Sequence, residues 1–279
     1  MVNRSNVTNQ KGIVRKLTFI PRTLDEGIVR DGLESVSLLN RTEPYYLVGG
    51  IATQSYLPTT CRRATSDIDF AVVRSLNYQE FKNMVRPLGE WFEDNRYFFE
   101  TKKRSRAYSL DVTNPEGETL CLEFSRRNKK SLEGNGVRLS REFEHSKMKT
   151  LEERGTSYRV ASPEDIVIPK LVRSLGSLER NPLLRRYISQ IGGVLTSEKI
   201  SAQLRRISEV REDAMANIAD PELAERLRFI SDLYDVRVLS ELSGFNQSYL
   251  REVSHDCEYC KLDKFRTLAK TVLPDFVSN

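Results

Sequence analysis

The sequence predicts an α/β (α+β) chain in two parts, and three observations predict it. A strand, a Gly-Gly pair, a helix and a second strand follow one another between residues 45 and 73. Two strand-like runs, Arg106–Asn114 and Thr119–Arg126, flank a Pro115-Glu116-Gly117 turn. From residue 160 onward the pattern is helical throughout. A boundary near residue 158 divides the chain into a basic N-terminal arm (1–22), an α/β part (23–158) and a helical part (159–279). The length of 279 residues agrees with roughly two domains.

Each element has a local reason. Residues 1–22 carry no long apolar run and read as a loosely docked arm. Residues 24–40 place Ile28, Leu33, Val36 and Leu39 on one helical face. Tyr45–Val48 is a short apolar strand ending at Gly49-Gly50, and a helix is expected over Ile51–Leu57, stopped at Pro58. Asp67–Val73 alternates and then turns wholly apolar, as a buried strand does. Residues 78–94 space Phe81, Met84, Val85, Leu88 and Phe92 as a helix requires. Ser162-Pro163-Glu164-Asp165 starts a helix with a hydroxyl N-cap, Pro at the first position and an acid at the third. Pro169 should kink that helix just before Lys170. Asp220-Pro221-Glu222 starts another helix. Its apolar residues Leu223, Leu227, Ile230, Tyr234, Val238 and Leu242 recur every three to four positions, and Gly244 stops it.

Composition excludes several function classes. Two histidines in the chain leave little for chemistry built on histidine clusters, and four cysteines do not make a disulfide scaffold. No apolar run approaches the ~20 residues of a membrane helix, and the N-terminus has no apolar signal-peptide core. A cytoplasmic setting without a membrane partner is the expectation. The net charge of +5 is unevenly placed. Residues 1–22 hold Arg4, Lys11, Arg15, Lys16 and Arg22 and no acid. Residues 200–279 hold 11 basic and 14 acidic side chains, a balance of −3 that leaves +8 before them. Two further basic runs are Lys102-Lys103-Arg104 with Arg106, and Arg126-Arg127 with Lys129-Lys130. This distribution points to an anionic partner for the first part.

The residues that carry chemistry lie in Leu47-Val48-Gly49-Gly50-Ile51-Ala52 and Asp67-Ile68-Asp69-Phe70. Glycines between a strand and a helix let backbone approach a ligand, and helix N-terminal N–H groups attract phosphate. Asp67 and Asp69 sit two apart on a strand, so both face one side with Cα atoms ~6.5–7 Å apart. Carboxylates so paired can hold two divalent ions ~3.5–4 Å apart for an in-line phosphoryl displacement. Such a site calls for a third carboxylate from a neighbouring strand. Glu123, a lone acid in Leu120-Cys121-Leu122-Glu123-Phe124, is the first choice and Asp111 the second.

Gly49-Gly50, the string Arg63-Ala64-Thr65-Ser66-Asp67-Ile68-Asp69 and Glu123 resemble the nucleotidyltransferases of the DNA polymerase β superfamily. The Arg-x-Thr-x-Asp-Ile-Asp string looks most like the AbiEii/MenT-type toxin branch of toxin–antitoxin systems. The likeness continues in Ser162–Asp165, Lys170-Leu171 and Arg173, and spans roughly residues 40–190. It implies a mixed sheet flanked by helices, followed by a helical domain. It also implies roles: Gly49 and Gly50 at the NTP phosphates, Arg63, Thr65 and Ser66 at the mouth of the site, Lys170 and Arg173 toward the triphosphate. Asp67, Asp69 and Glu123 would ligate Mg²⁺, two ions in number, with Mn²⁺ an alternative. A lysine at a transferring phosphoryl group offsets its charge. Related chains carry acids in an Arg-Asp-x-x-Asp motif soon after the lysine helix, whereas Arg180–Ile188 has none.

The function so implied is transfer of an NMP from an NTP to RNA, at the 3′ end of a tRNA, by a toxin with a cognate antitoxin protein. A protein hydroxyl as acceptor and a catalytically degenerate RNA-binding regulator are the alternatives. Weaker signals have ordinary readings. His255, Cys257 and Cys260 lack a fourth zinc ligand nearby. His145 is a surface residue among charges, and at least one of Tyr45 and Tyr46 packs in the core rather than forming a base-stacking platform. Arg126–Lys130 holds an RNA backbone or ends a solvated hairpin.

Overall fold

A computed structural model describes residues 22–65, 67–125, 129–192, 199, 202–207, 220–273 and 276. The arm 1–21, Ser66, and Arg126 and Arg127 of the second basic run lie outside the described residues. The chain divides into two compact units. The first comprises Met1–Ile51 and Ala64–Val160, and the second Ala52–Arg63 and Ala161–Asn279.

The first unit is a seven-stranded mixed sheet with helices. Its elements are α1 (Gly27–Ser37), β1 (Tyr45–Val48), the start of α2 (Gly49–Gln54, which is in the second unit from Ala52), β2 (Asp67–Val72), α3 (Tyr78–Asp94), β3 (Phe98–Lys103), β4 (Ala107–Thr113), β5 (Thr119–Ser125), α4 (Lys129–His145), β6 (Lys147–Leu151) and β7 (Thr156–Val160). The spatial order is β3-β4-β5-β2-β1-β7-β6. β1 runs antiparallel to β2, while β2 with β5 and β1 with β7 are parallel.

One face of this sheet is its core. Ile68, Phe70, Leu120, Leu122 and Phe124 are buried and point to α1 and α3. Gly32 of α1 lies so close that an added Cβ would meet Leu120, Ile68 and Leu122 at 2.8–3.2 Å. Phe81 of α3 joins Phe124, Tyr108 and Phe70 in a run of ring contacts. Each such side chain, fully buried, contributes roughly 1.5–3 kcal/mol. Because strand residues alternate, burying this set turns Asp67, Asp69, Cys121 and Glu123 to the opposite face.

The expected elements 24–40, 45–48, 67–73, 78–94 and the 106–126 hairpin are present. α3 is held at its start by a capping box. Asn77 Oδ1 accepts from the Gln79 and Glu80 amides at 2.9 Å, and Glu80 Oε2 accepts from Asn77 N at 2.7 Å. The helix expected over Ile51–Leu57 instead begins at Gly49 and ends at Gln54. Strands β3, β6 and β7 and helix α4 extend the sheet beyond what the pattern predicts. Tyr45 and Tyr46 are buried, Tyr45 edge-on to Phe70 and Tyr46 donating its hydroxyl to Glu142.

The second unit is helical, with α5 (Pro163–Arg180), α6 (Arg185–Ile191), α7 (Pro221–Leu242), α8 (Gln247–Asp256) and α9 (Asp263–Val272). Ser162 caps α5, its Oγ accepting from Asp165 N at 3.2 Å and donating to Asp165 Oδ2 at 2.8 Å. α5 runs for 18 residues with Pro169 inside it. Asp220 caps α7, and Gly244 follows its end at φ +66°. Along Phe229–Leu239 every residue of α7 is buried, charged ones included. A helix buried all round is the centre of its bundle. Among the described residues no helix is long and apolar enough to cross a membrane.

Candidate functional site

Sheet register assembles the carboxylates. The parallel β2–β5 pairing sets Asp69 opposite Glu123 and Asp67 opposite Cys121. Asp67, Asp69 and Glu123 each offer one oxygen, and these oxygens lie within 4.8 Å of one another. All three residues are partly exposed. Among the described residues this is the one group of acids, histidines or cysteines so close together. An all-oxygen donor set of three carboxylates suits hard divalent cations such as Mg²⁺ or Mn²⁺. Burial, reinforced by the charge of Asp67, pushes the Glu123 carboxyl above its ordinary range, with Arg104 opposing. A cation bound among the three would remove that repulsion.

Two glycines make room for this cluster. Gly49, at φ +75°, lies where a Cβ would sit 3.1 Å from Asp69 Cγ and closer still to Oδ2. A Cβ on Gly50 would meet Thr65 Oγ1 at 2.7 Å and Thr65 Cβ at 2.8 Å. The Gly-Gly pair is therefore required by the approach of β2 and of the segment before it. Arg22 fixes that segment. Its amide donates to Thr65 O at 2.6 Å, and Thr65 N donates back to Arg22 O at 2.8 Å. The Arg22 side chain is buried on Glu26 and Glu118. Thr65 Oγ1 in turn lies 3.4 Å from Asp67 Oδ1.

Asp111, the second choice for third carboxylate, is engaged elsewhere. Lys102 Nζ donates to its Oδ2 at 2.8 Å, and Arg104 Nη2 reaches both its oxygens at 3.1 and 3.2 Å. Burial would raise its pKa, but these two cations hold it below the ordinary carboxylate range. Arg104 also donates through Nε to Ser109 Oγ at 2.9 Å and through Nη2 to Cys121 Sγ at 3.4 Å.

In the second unit Lys170, Arg173 and Arg63 come together around two acids that the sequence pattern concealed. Lys170 Nζ donates to Asp235 Oδ2 at 2.7 Å and lies 3.4 Å from Asp232 Oδ1. Arg173 grips Asp232 with Nε and Nη2, both at 2.6 Å. Arg63 grips Asp235 with Nε at 2.8 Å and Nη2 at 2.5 Å. Lys170, Asp232 and Asp235 are at most 4% exposed in their side chains, while Arg173 is 49% exposed. Burial would raise the Asp232 pKa, but Lys170 and Arg173 hold it below the ordinary range. Arg180–Ile188 holds no acid, and the acids that meet Lys170 are Asp232 and Asp235 on α7. Their spacing of three on a helix was the available signal, masked by the apolar periodicity around them.

The minor signals resolve simply. His255 is exposed beside Asp256, and Cys260 is buried with its thiol raised by a hydrogen bond with Cys257 and by burial. His145 ends α4.

No family model matches the chain, and no curated protein matches it in sequence. Among solved structures it is similar to an antigenic nucleotidyltransferase-like protein from Paracoccidioides brasiliensis. That pair is 18% identical over 75% of this chain and 94% of the other, with a TM-score of 0.37. It is also similar to terminal uridylyl transferase 4 from Trypanosoma brucei with bound dUTP, 15% identical over 85% and 75%, TM-score 0.28. The same enzyme with bound GTP gives 14% identity over 86% and 73%, TM-score 0.26.

Proposed function

We propose that this chain is a divalent-metal-dependent nucleotidyltransferase that moves an NMP from an NTP to an acceptor hydroxyl and releases pyrophosphate. The observation that carries the reading is the convergence of Asp67, Asp69 and Glu123 within 4.8 Å, beside glycines that no other residue can replace without a clash. Three carboxylates on one sheet face repel one another and any phosphate, so their retention makes chemical sense around cations.

Asp67, Asp69 and Glu123 would hold Mg²⁺ or Mn²⁺. Bound there, the ions would supply charge neutralisation at the phosphoryl group and a lowered pKa for the attacking hydroxyl. The protein's part is placement. Gly49 and Gly50 keep backbone close to the carboxylates, Thr65 lies at the entrance, and Glu123 takes up the proton of the acceptor hydroxyl. By the resemblance, Lys170 and Arg173 are assigned to the triphosphate and Arg63 to the mouth of the site. The catalytic domain is taken as residues 23–158 and the helical domain as 159–279.

The acceptor in this reading is RNA, at the 3′ end of tRNA, and the biological role is that of a toxin restrained by an antitoxin protein. The exposed basic residues Lys102, Lys103, Arg104 and Arg106 between β3 and β4, with Arg104 bonded to Cys121 opposite Asp67, and the resemblance of the Arg-x-Thr-x-Asp-Ile-Asp string favour it. The test is incubation with each labelled NTP, Mg²⁺, total RNA and lysate, with Asp69→Ala in parallel. Label in RNA that the substitution abolishes supports the reading. Label confined to protein replaces RNA by a protein hydroxyl, and no label with any NTP refutes the enzyme. For the toxin role, induced expression is expected to arrest growth and Asp67→Ala to relieve the arrest; growth unaffected by the wild-type chain would refute that role.

A further inference from the structure

The hairpin joining β3 to β4 carries Lys102, Lys103, Arg104 and Arg106, all exposed, within five residues. They are not equivalent. Lys102 is tied to Asp111 and Glu100. Lys103 and Arg106, at the hairpin tip, have no ion-pair partner among the described residues.

Arg104 turns back from the tip along the sheet. Its guanidinium is fixed by Ser109 Oγ, both oxygens of Asp111 and Cys121 Sγ. Those partners belong to the carboxylate face. The β4–β5 register sets Ser109 opposite Glu123 and Asp111 opposite Cys121, and Cys121 is opposite Asp67. Arg104 is therefore held one strand from Glu123. Nε and Nη2 are occupied, Nη1 has no partner among the described residues, and the side chain is 40% exposed.

From these placements we infer that the β3–β4 hairpin is the track on which a single-stranded RNA acceptor approaches the carboxylates. Arg104 binds the phosphodiester nearest the reacting hydroxyl, and Lys103 and Arg106 bind phosphates further back. This deepens the proposed function and rests on it for the identity of the reaction, not for the binding itself. A guanidinium anchored on two sides and open on the third is set for planar contact with a phosphate. A polyanion brought to three carboxylates needs such fixed cations beside them. Exposed, unpaired tip cations suit sequence-independent backbone contact.

The test is fluorescence anisotropy of a labelled short single-stranded RNA of mixed sequence, across a salt series and without divalent metal. Each single-strand phosphate contact contributes about −0.7 to the slope of log K against log salt. Arg104→Ala is expected to flatten the slope by about 0.7, and Lys103→Ala/Arg106→Ala by about 1.4. Arg104→Lys keeps the slope but weakens binding severalfold, because the planar contact is lost. Mn²⁺ affinity stays within twofold in every variant. Unchanged slopes, or an Arg104→Ala loss matched by an equal loss of Mn²⁺ affinity, overturn the inference. The tip variant, made at exposed unpaired positions, decides the matter if Arg104→Ala is unstable. Arg104-dependent RNA binding without NMP transfer sinks the proposed reaction and leaves the track. Transfer to RNA with unchanged slopes sinks the track and leaves the reaction.

Discussion

Replacing Gly49 by alanine separates two demands that meet at one residue. The first is conformational. At φ +75° an L-residue pays a left-handed penalty of roughly 1–2 kcal/mol. The second is steric. The new Cβ would stand 3.1 Å from Asp69 Cγ and 3.3 Å from Asp69 Cβ, against 3.4–4 Å for ordinary contact, and closer still to Oδ2. Asp69 must withdraw by several tenths of an ångström, and its carboxylate by more. Mg²⁺ and Mn²⁺ tolerate little error in ligand placement, so at least a tenfold loss of affinity is expected, about 1.4 kcal/mol. Two other glycines calibrate the result. Gly50→Ala carries the steric demand, toward Thr65, without a positive φ, and Gly27→Ala meets nothing within 4 Å. Mn²⁺ titration followed by electron paramagnetic resonance reads the affinity, and urea unfolding with metal chelated reads the stability. Gly49→Ala should fall in both, Gly50→Ala less in stability, and Gly27→Ala in neither. A Gly49→Ala protein within twofold of wild-type Mn²⁺ affinity would refute the claim that the glycine serves the carboxylate.

Three further outcomes are expected. Glu123 has a raised pKa in the folded chain, so its ionisation destabilises the metal-free fold as pH rises through that value. Glu123→Gln should therefore melt higher than wild type at neutral pH in EDTA, with the gap closing below about pH 4, and Mn²⁺ binding by wild type should weaken as pH falls through the same raised value. Asp235→Asn leaves the nearly buried Lys170 and Arg63 short of their shared partner and should cost about 3–5 kcal/mol by urea unfolding. Lys170→Met should cost less, because Arg63 still grips Asp235 with two nitrogens. Asp232 has a lowered pKa, so its stabilising effect is present above about pH 4 and lost as pH falls through the folded value. The unfolding free-energy difference between wild type and Asp232→Asn should shrink across that fall. A difference that stays constant would contradict the ion-pair origin.

What was legible in the sequence was whatever one periodicity governs. α3 shows its apolar stripe, and β2 and β5 show alternation with acids on the minority face. Glu123 stands out over Asp111 because its strand is otherwise apolar, while Asp111 is held by Lys102 and Arg104. β3 escaped notice because Phe98-Phe99-Glu100-Thr101-Lys102-Lys103 is an edge strand with one solvated face, so its charges read as loop. The start of α2 at Gly49 was hidden because glycine is a poor helix former, and here close approach to Asp69 and Thr65 overrides propensity. Asp232 and Asp235 were lost inside an apolar helix, since nothing local reveals that Lys170 and Arg63 come to meet them. Register and pairing between distant strands are tertiary facts with no local signature.

The parallel pairing of β2 with β5 has a consequence for the order of events during synthesis. Asp69 and Glu123 are neighbours in space, yet α3, β3 and β4 are all made between them. A growing chain that has not yet delivered β5 holds only two of the three carboxylates, and closing so long a loop is a slow step. Metal capture would thus mark completion of the sheet centre, and by mass action would favour chains that have completed it. Ribosome-bound fragments ending before and after β5 should differ sharply in Mn²⁺ uptake, which makes the ion a clock for maturation of this sheet.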